Sequence, residues 1–302
     1  VAAGTSRIPA ARFTSADFFE LERVAFWPRA WAVVGRDDEV RGPGQYFTWE
    51  HTGVPLIIVG GVDGQVRVFY NSCRHRGAPV VREPRGRSRA LRCQYHSWTY
   101  DTTGRLVSVP DERDFVDLRL EERGLVPVQV ALRDGWLLTN QAEHAPGPPA
   151  VPAPAPGERV LLRLVRSVPG NWKFAAAALR DHAMATGGTF VLSNAAFPVP
   201  GSGEPVMFAW PQTWPFDHAS CRVEAVFLAP DWDEDDPPLE SPETAARVAG
   251  WEARLASLSA AVTSMQRAAE SGQVPASESL DVVNRAVDAV MGDDLPQELR
   301  VL

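Results

Sequence analysis

Between Trp31 and Thr139 the apolar positions come in short runs broken by turn residues. Trp31-Ala32-Val33-Val34-Gly35 is one such run, Val54-Pro55-Leu56-Ile57-Ile58-Val59 a second, and Trp136-Leu137-Leu138-Thr139 a third. Asp63-Gly64, followed by alternating Val66, Val68 and Tyr70, predicts a hairpin, because the Asp-Gly pair supplies the positive φ that tight hairpin turns need. Gly42-Pro43-Gly44 marks another turn. Runs this short are strands, and their spacing predicts a small all-β module. The flanking regions have a different period. Residues 13–32 carry Phe18, Leu21, Val24 and Ala25 at helical spacing, with Ser15 as N-cap.

After Gln141 the chain becomes rich in Pro and Ala up to Gly157, a linker composition. The pattern then predicts a strand over Val160–Val165, two more within 206–229, a long helix over Pro242–Ser271 and a last helix capped by Ser277. Trp251, Leu255, Leu258 and Val262 form the apolar stripe of the long helix, and Leu280, Val283, Val287 and Val290 that of the last. The expected organisation is residues 1–140, a linker at 141–157, and a second domain at 158–302.

The 302 residues are enough for two modest cores, and an apolar content of 45% is ordinary for a globular chain. The formal net charge of −8 argues against a general nucleic-acid partner. Asp231–Asp236 reads as a solvated acidic loop, and Lys173 is the only lysine among mostly arginine cations. No stretch approaches the roughly 20 apolar residues of a membrane span, and no signal-peptide pattern opens the sequence. With three cysteines there is no disulfide framework, so the expected compartment is the cytoplasm. Cys221, in an apolar run, is expected to be a buried bystander.

The other two cysteines carry chemistry. Cys73-Arg74-His75-Arg76-Gly77 and Cys93-Gln94-Tyr95-His96-Ser97-Trp98 each offer one thiolate and one imidazole. Zinc is one taker for Cys2His2, but structural zinc sites usually pair Cys with Cys and His with His on their loops. One Cys and one His per loop suits a two-iron cluster in which one iron takes both sulfurs and the other both imidazoles. The stretch resembles the Rieske domain of the ring-hydroxylating, or Rieske non-heme iron, oxygenases, with their C-x-H-R-G and C-P-Y-H-G-W. Cys73, His75, Cys93 and His96 fall on the cluster positions, while Gln94 and Ser97 depart from Pro and Gly. Trp98, Tyr100 and Gly104-Arg105-Leu106 continue the likeness, and Glu22, Phe26 and Trp31 approximate the family's helix before the domain. Tyr95, Trp98 and Tyr100 are candidates for tuning the cluster. The resemblance implies an α+β fold: an all-β Rieske [2Fe-2S] domain, then a shortened helix-grip domain of antiparallel sheet plus helices. It also implies buried thiolates and solvent-facing imidazoles.

The family activates dioxygen at a second site, a mononuclear iron held by two His and a carboxylate. Asn171-Trp172-Lys173 matches the family's N-W-K before that site. Counted onward without gaps, Ala177 and Ala178 replace Glu and Asn, and Asp181 keeps the carboxylate that in the family bridges electrons between subunits. Met184 and Thr189 stand where the two His belong, and Glu278-Ser279 replaces the acidic pair, leaving Ser279 at the third ligand position. Asp281, two residues late, points about 200° away on a helix. Mononuclear Fe(II) is therefore expected to be absent. The interval Phe190–Val206 is also short for enclosing a substrate. Asp181, His182, Asp217 and His218 are the residues from which a metal site could be rebuilt, while His51 and His144 carry no signal.

The expected function is a cluster-bearing subunit that passes electrons to a competent paralogue in a trimeric or hexameric ring, fed by a reductase or ferredoxin. The alternatives are an active mono- or dioxygenase with a non-standard iron site, and a scaffolding subunit without an electron-transfer role.

Overall fold

The computed structural model describes residues 6–300 apart from 51–52, 187–188, 192–193, 199–207, 231 and 233–236. His51, the acidic run Asp231–Asp236 other than Trp232, and much of the interval Phe190–Val206 thus lie outside the described residues. The chain divides into Trp31–Pro148 and a second unit made of Val1–Ala30 with Pro149–Leu302.

In the first unit β1 (Ala32–Arg36), β2 (Gln45–Trp49), β3 (Leu56–Gly60), β4 (Val66–Tyr70) and β5 (Arg85–Arg87) precede three short strands, β6 (Ala90–Arg92), β7 (Thr99–Asp101) and β8 (Leu106–Ser108). β9 (Pro127–Arg133) and β10 (Trp136–Asn140) close the unit. One antiparallel sheet runs β1-β10-β9-β4-β3-β2-β5 and a smaller one β6-β7-β8. The predicted Asp63-Gly64 hairpin joins β3 to β4, with Gly60 opposite Val66 and Gly64 at φ +74°. Leu56, Ile57, Ile58 and Val59 are all fully buried, each side chain stabilising the fold by about 1.5–3 kcal/mol. Both faces of β3 are therefore covered, which explains its unbroken apolar run rather than an alternating one.

In the second unit β11 (Glu158–Pro169) and α3 (Trp172–Ala185) are followed by β12 (Thr189–Val191), β13 (Asn194–Pro198), β14 (Phe208–Asp217) and β15 (Ser220–Pro230). The antiparallel order is β11-β15-β14-β13-β12. α4 (Pro242–Glu270) and α5 (Glu278–Met291) start at the side-chain caps Ser241 and Ser277. Trp251, Leu255 and Val262 of the predicted α4 stripe are buried, as are Leu280, Val283 and Val287 of α5. Cys221 is fully buried on β15, and burial pushes its thiol pKa far up, so it is an inert thiol. No described helix is long and apolar enough to cross a membrane.

The N-terminal segment differs from its reading in extent and in packing. Ser15 does cap a helix, accepting from Phe18 N at 3.2 Å, but that helix, α2 (Ala16–Leu21), follows a short α1 (Ala11–Thr14) and runs into a π-helical turn at Glu22–Phe26. Residues 6–30, which the sequence grouped with the front domain, belong with the second unit. The reason is a buried polar clamp. Glu22 Oε1 accepts from Lys173 Nζ at 2.7 Å and Oε2 from the Trp172 indole at 3.2 Å, with all three side chains out of solvent. Phe26 and Trp27 pack on Trp172, and Phe13 stacks on Phe174 at 4.4 Å. Arg12, also buried, donates to Leu299 O and Asn284 O and pairs with Asp288 at 2.6 Å.

Candidate metal centre

Two loops with the same internal wiring carry the four predicted ligands. In the first, after β4, Gly77 N donates to Cys73 O at 2.8 Å and Cys73 N to Ala78 O at 2.8 Å. In the second, between β6 and β7, Ser97 N donates to Cys93 O at 3.0 Å and Cys93 N to Trp98 O at 2.9 Å. Each loop turns through a left-handed residue four places after its cysteine, Gly77 at φ +75° and Ser97 at φ +58°. Glycine takes that conformation freely, while serine pays about 1–2 kcal/mol for it. Arg92, donating to Ser97 Oγ at 2.7 Å, helps to hold the strained turn.

The folding of these loops brings all four ligand residues together. Cys73 and Cys93 are buried in one apolar cluster with Val80, Leu91, Trp98, Tyr100 and Leu125. The imidazoles of His75 and His96 meet edge to face at 4.7 Å, His96 exposed and His75 half-buried. His75 stacks on Trp98 at 5.0 Å, and Phe115 packs edge-on against both. Burial raises the Cys73 pKa, and the adjacent Cys93 adds to the rise, so without metal the sulfur stays a protonated thiol. Burial, with help from His96 and Arg76, lowers the His75 pKa and keeps it the neutral imidazole that ligates metal.

One atom tests the fit of a [2Fe-2S] cluster. His75 Nδ1 is buried and has no hydrogen-bond partner among the described residues. A buried nitrogen left bare costs about 1–3 kcal/mol, a cost that an iron bond removes. The donor set also suits two irons better than one ion: the two imidazoles meet each other, and the two sulfurs share one apolar cluster. In a Rieske cluster each iron takes only two protein ligands.

Tyr100 is the clearest tuning residue. Its hydroxyl lies 3.3 Å from Cys73 Sγ and accepts from Arg74 N at 3.0 Å, leaving its hydrogen for the sulfur. Burial and the neighbouring Cys73 push its acid strength down, so it stays a donor. We expect Tyr100→Phe to keep the cluster and lower its potential. Losing about 1 kcal/mol of hydrogen bonding to sulfur corresponds to roughly 40 mV for one electron, readable by a redox titration followed by EPR.

Asn71, which sequence reasoning passed over, braces the first loop. Its Oδ1 accepts from Val80 N at 2.8 Å and Val81 N at 3.1 Å, and its Nδ2 donates to Val81 O at 2.8 Å. A polar residue at a strand end looks like any turn residue, so only the fold reveals this role.

The second-unit positions are arranged differently. Asp181 is exposed on α3 and accepts a short hydrogen bond from Ser279 Oγ. Arg180 donates to the same Ser279 at 2.7 Å and pairs with Glu278 at 3.4 Å. Ser279, counted at the third ligand position, is thus buried beside Asp181 and already engaged in hydrogen bonds. Met184 is 48% exposed one turn further along. Thr189 opens β12, and its side chain lies outside the described residues. Asp181 and His182 line a cavity of about 400 Å³ between α3 and α4, with Trp251, Arg254 and Leu255. Burial and Arg254 lower the His182 pKa. Asp217 and His218 sit at the other end of α3: His218 O accepts from its N-cap Asn171 at 3.0 Å. Ten residues of helix, about 15 Å, separate Asn171 from Asp181. These four side chains therefore do not converge on a common metal position.

Comparison with known proteins agrees with this geometry. The family model for the Rieske [2Fe-2S] domain matches residues 30–127. Benzene 1,2-dioxygenase subunit alpha of Pseudomonas putida is 35% identical over 140 residues, 46% of this chain and 31% of that protein. The glycine betaine monooxygenase oxygenase subunit of Pseudomonas aeruginosa is 33% identical over 128 residues, 42% of this chain and 30% of that protein. The matched region thus spans about a third of the length of these curated relatives. Among solved structures, the quaternary ammonium Rieske monooxygenase CntA with gamma-butyrobetaine superposes with a TM-score of 0.75 at 18% identity, covering 96% of both chains. Naphthalene 1,2-dioxygenase from Rhodococcus sp. bound to indole gives 0.67 at 17% identity, covering 86% of this chain and 82% of that one. Both likenesses show the fold: an all-β Rieske domain followed by a sheet-and-helix domain of mixed α+β type.

Proposed function

Since the chain carries a Rieske [2Fe-2S] domain and is homologous to alpha subunits of Rieske oxygenases, we propose that it is an electron-relaying subunit. In this reading it passes electrons to the mononuclear iron of a competent paralogue in a hetero-oligomeric ring, its own mononuclear site being lost. The observation that carries this is the contrast between the two sites. At one, the imidazoles of His75 and His96 meet, Cys73 and Cys93 share one buried cluster, and His75 Nδ1 is buried without a hydrogen-bond partner among the described residues. The other has Met184 facing solvent and Ser279 tied to Asp181 and Arg180 where iron ligands are counted. The solved structure of CntA is described in terms of carnitine oxidation and inter-subunit electron transfer. The second of these is the property proposed here, with Asp181, which the gapless count puts at the bridging position, as the candidate bridge.

When bound, the cluster stores and releases one electron at a time. The chain's own groups set the terms. Cys73 and Cys93 supply thiolates from a dry core, and His75 and His96 supply imidazoles, His96 at the surface. Tyr100 donates to the Cys73 sulfur, stabilising the more negative state. Asn71 and the paired loop hydrogen bonds fix the ligands before metal arrives. No disulfide joins Cys73, Cys93 and Cys221, which suits a reducing compartment such as the cytoplasm.

Metal quantification on anaerobically purified protein is the direct test. About two irons per chain, with a Rieske EPR signal, is the expected result. A third iron with an EPR or Mössbauer signature of its own overturns the loss of the mononuclear site and favours an active oxygenase. Mixing with a competent paralogue distinguishes a relay from a scaffold: activity that rises only with an intact cluster supports the relay.

A further inference from the structure

Neither Met184 nor Ser279, two of the counted iron positions, lines the cavity of about 400 Å³ between α3 and α4. Ala178 and His182, four residues apart on α3, share the face that does line it. Met184 lies two residues beyond His182 and so points about 200° further around the helix. The cavity therefore belongs to another side of α3. Its walls are apolar: Leu179 from α3, and Trp251, Leu255, Leu258 and Met265 from α4. Charge enters at two places. Asp181 is one, and its carboxylate already accepts from Ser279 Oγ. Arg254, half-buried, is the other. Burial, and then the charge of Arg254, favour the neutral imidazole of His182, so the guanidinium lies close to that ring. Among the described residues Arg254 makes no ion pair and no hydrogen bond. A guanidinium partly withdrawn from water against apolar walls keeps an uncompensated desolvation cost until an anion pairs with it.

We infer that this cavity binds a small organic monocarboxylate, its carboxylate on the Arg254 guanidinium and its apolar body against Trp251, Leu255 and Leu258. Apolar cavities of this size with a few polar groups are the usual form of small-ligand sites. Guanidinium and carboxylate match as a two-point hydrogen-bonded fork. The single guanidinium offsets one negative charge. The Asp181 carboxylate on the same lining repels a second, which disfavours phosphates and dicarboxylates. The body must be apolar as well, because the walls offer it nothing else to contact. The inference stands apart from the relay reading, since such binding needs no iron at the second site and no electron.

Isothermal titration calorimetry of the cluster-loaded full chain with phenylacetate and with octanoate tests this. The controls are 2-phenylethanol, which has the body without the charge, and acetate, which has the charge without the body. At least one of the two acids is expected to bind saturably, at one site per chain. Acetate and the alcohol should each bind at least about tenfold more weakly than that acid. Arg254→Met should weaken the acid at least about tenfold and leave the alcohol unchanged. Circular dichroism should match the parent, because Arg254 holds no described partner that its removal would strand. Ala178→Phe, which fills the cavity from the α3 side, should abolish binding with Arg254 still in place. No saturable binding of either acid, an alcohol that binds as well as the acid, or a folded Arg254→Met protein that binds the acid like the parent each overturns the inference. Inorganic phosphate binding more tightly than both acids would assign Arg254 to a phosphorylated ligand and overturn it too. None of these outcomes alters the iron count that decides the relay reading, and a third iron would overturn that reading while leaving this binding in place.

Discussion

His96→Ala is expected to abolish the visible and EPR signature of the cluster while leaving the β-sheet signal of the first unit in place. The imidazole is exposed, and its only ring neighbours among the described residues are His75 and Tyr95. Little packing is lost with it, so the fold has no reason to fail. What is lost is one of four donors, and half of the imidazole ligation of one iron. His75→Ala should have the same spectroscopic outcome with a larger stability cost, because that ring also fills the space between Trp98 and Phe115. His96→Cys should behave differently. A third thiolate keeps an iron–sulfur centre but moves it toward the plant-type range, hundreds of millivolts lower. His144→Ala, on an exposed loop, serves as the silent control. A His96→Ala protein with an undiminished Rieske spectrum would refute the assigned ligand set.

The second large effect concerns Glu22. Glu22→Ala leaves the Lys173 ammonium buried without its carboxylate, and breaking such a pair costs about 3–5 kcal/mol. Denaturant unfolding of the second unit should show that loss. Glu22→Gln combined with Lys173→Met removes both charges and should recover most of it, as buried pairs replaced by neutral groups usually do. The pair also has a pH signature. Burial lowers the Lys173 pKa to about 8, against the attraction of Glu22, from an ordinary 10.5. Between those values the unfolded chain binds a proton that the folded chain has released. Stability from this group therefore rises as pH increases through the window, and below about 8 the folded state bears the full cost of the buried charge. The double variant should lack that rise. If Glu22→Ala matches an average surface substitution, the clamp is not what holds the N-terminal segment.

The two ligand loops were legible because cluster chemistry demands particular donors at particular spacing. Cys73, His75, Cys93 and His96 stand out in any reading, and the hairpin at Asp63-Gly64 is almost as plain. The resemblance also implied burial of the two thiolates, and Cys73 and Cys93 do lie in one apolar cluster with Val80, Leu91 and Trp98. The second unit was legible only as strands and helices. The allegiance of the N-terminal helices was hidden because an apolar face states that it will be buried, not against what. Glu22 and Lys173 are 151 residues apart, and nothing local to either names the other as its partner. The brace formed by Asn71 was hidden for the same reason: its partners lie nine and ten residues on, in a loop without periodicity.

Lys173, the only lysine of the sequence, has no accessible surface. Acylating and biotinylating reagents consequently find no side-chain amine on the folded protein's exterior, and coupling chemistry aimed at lysines will leave it unmarked. Any acylation that does occur at this position counts the moments when the first two helices lift away. The molecule thus carries its own clock for that local opening, readable by mass spectrometry without introducing a label.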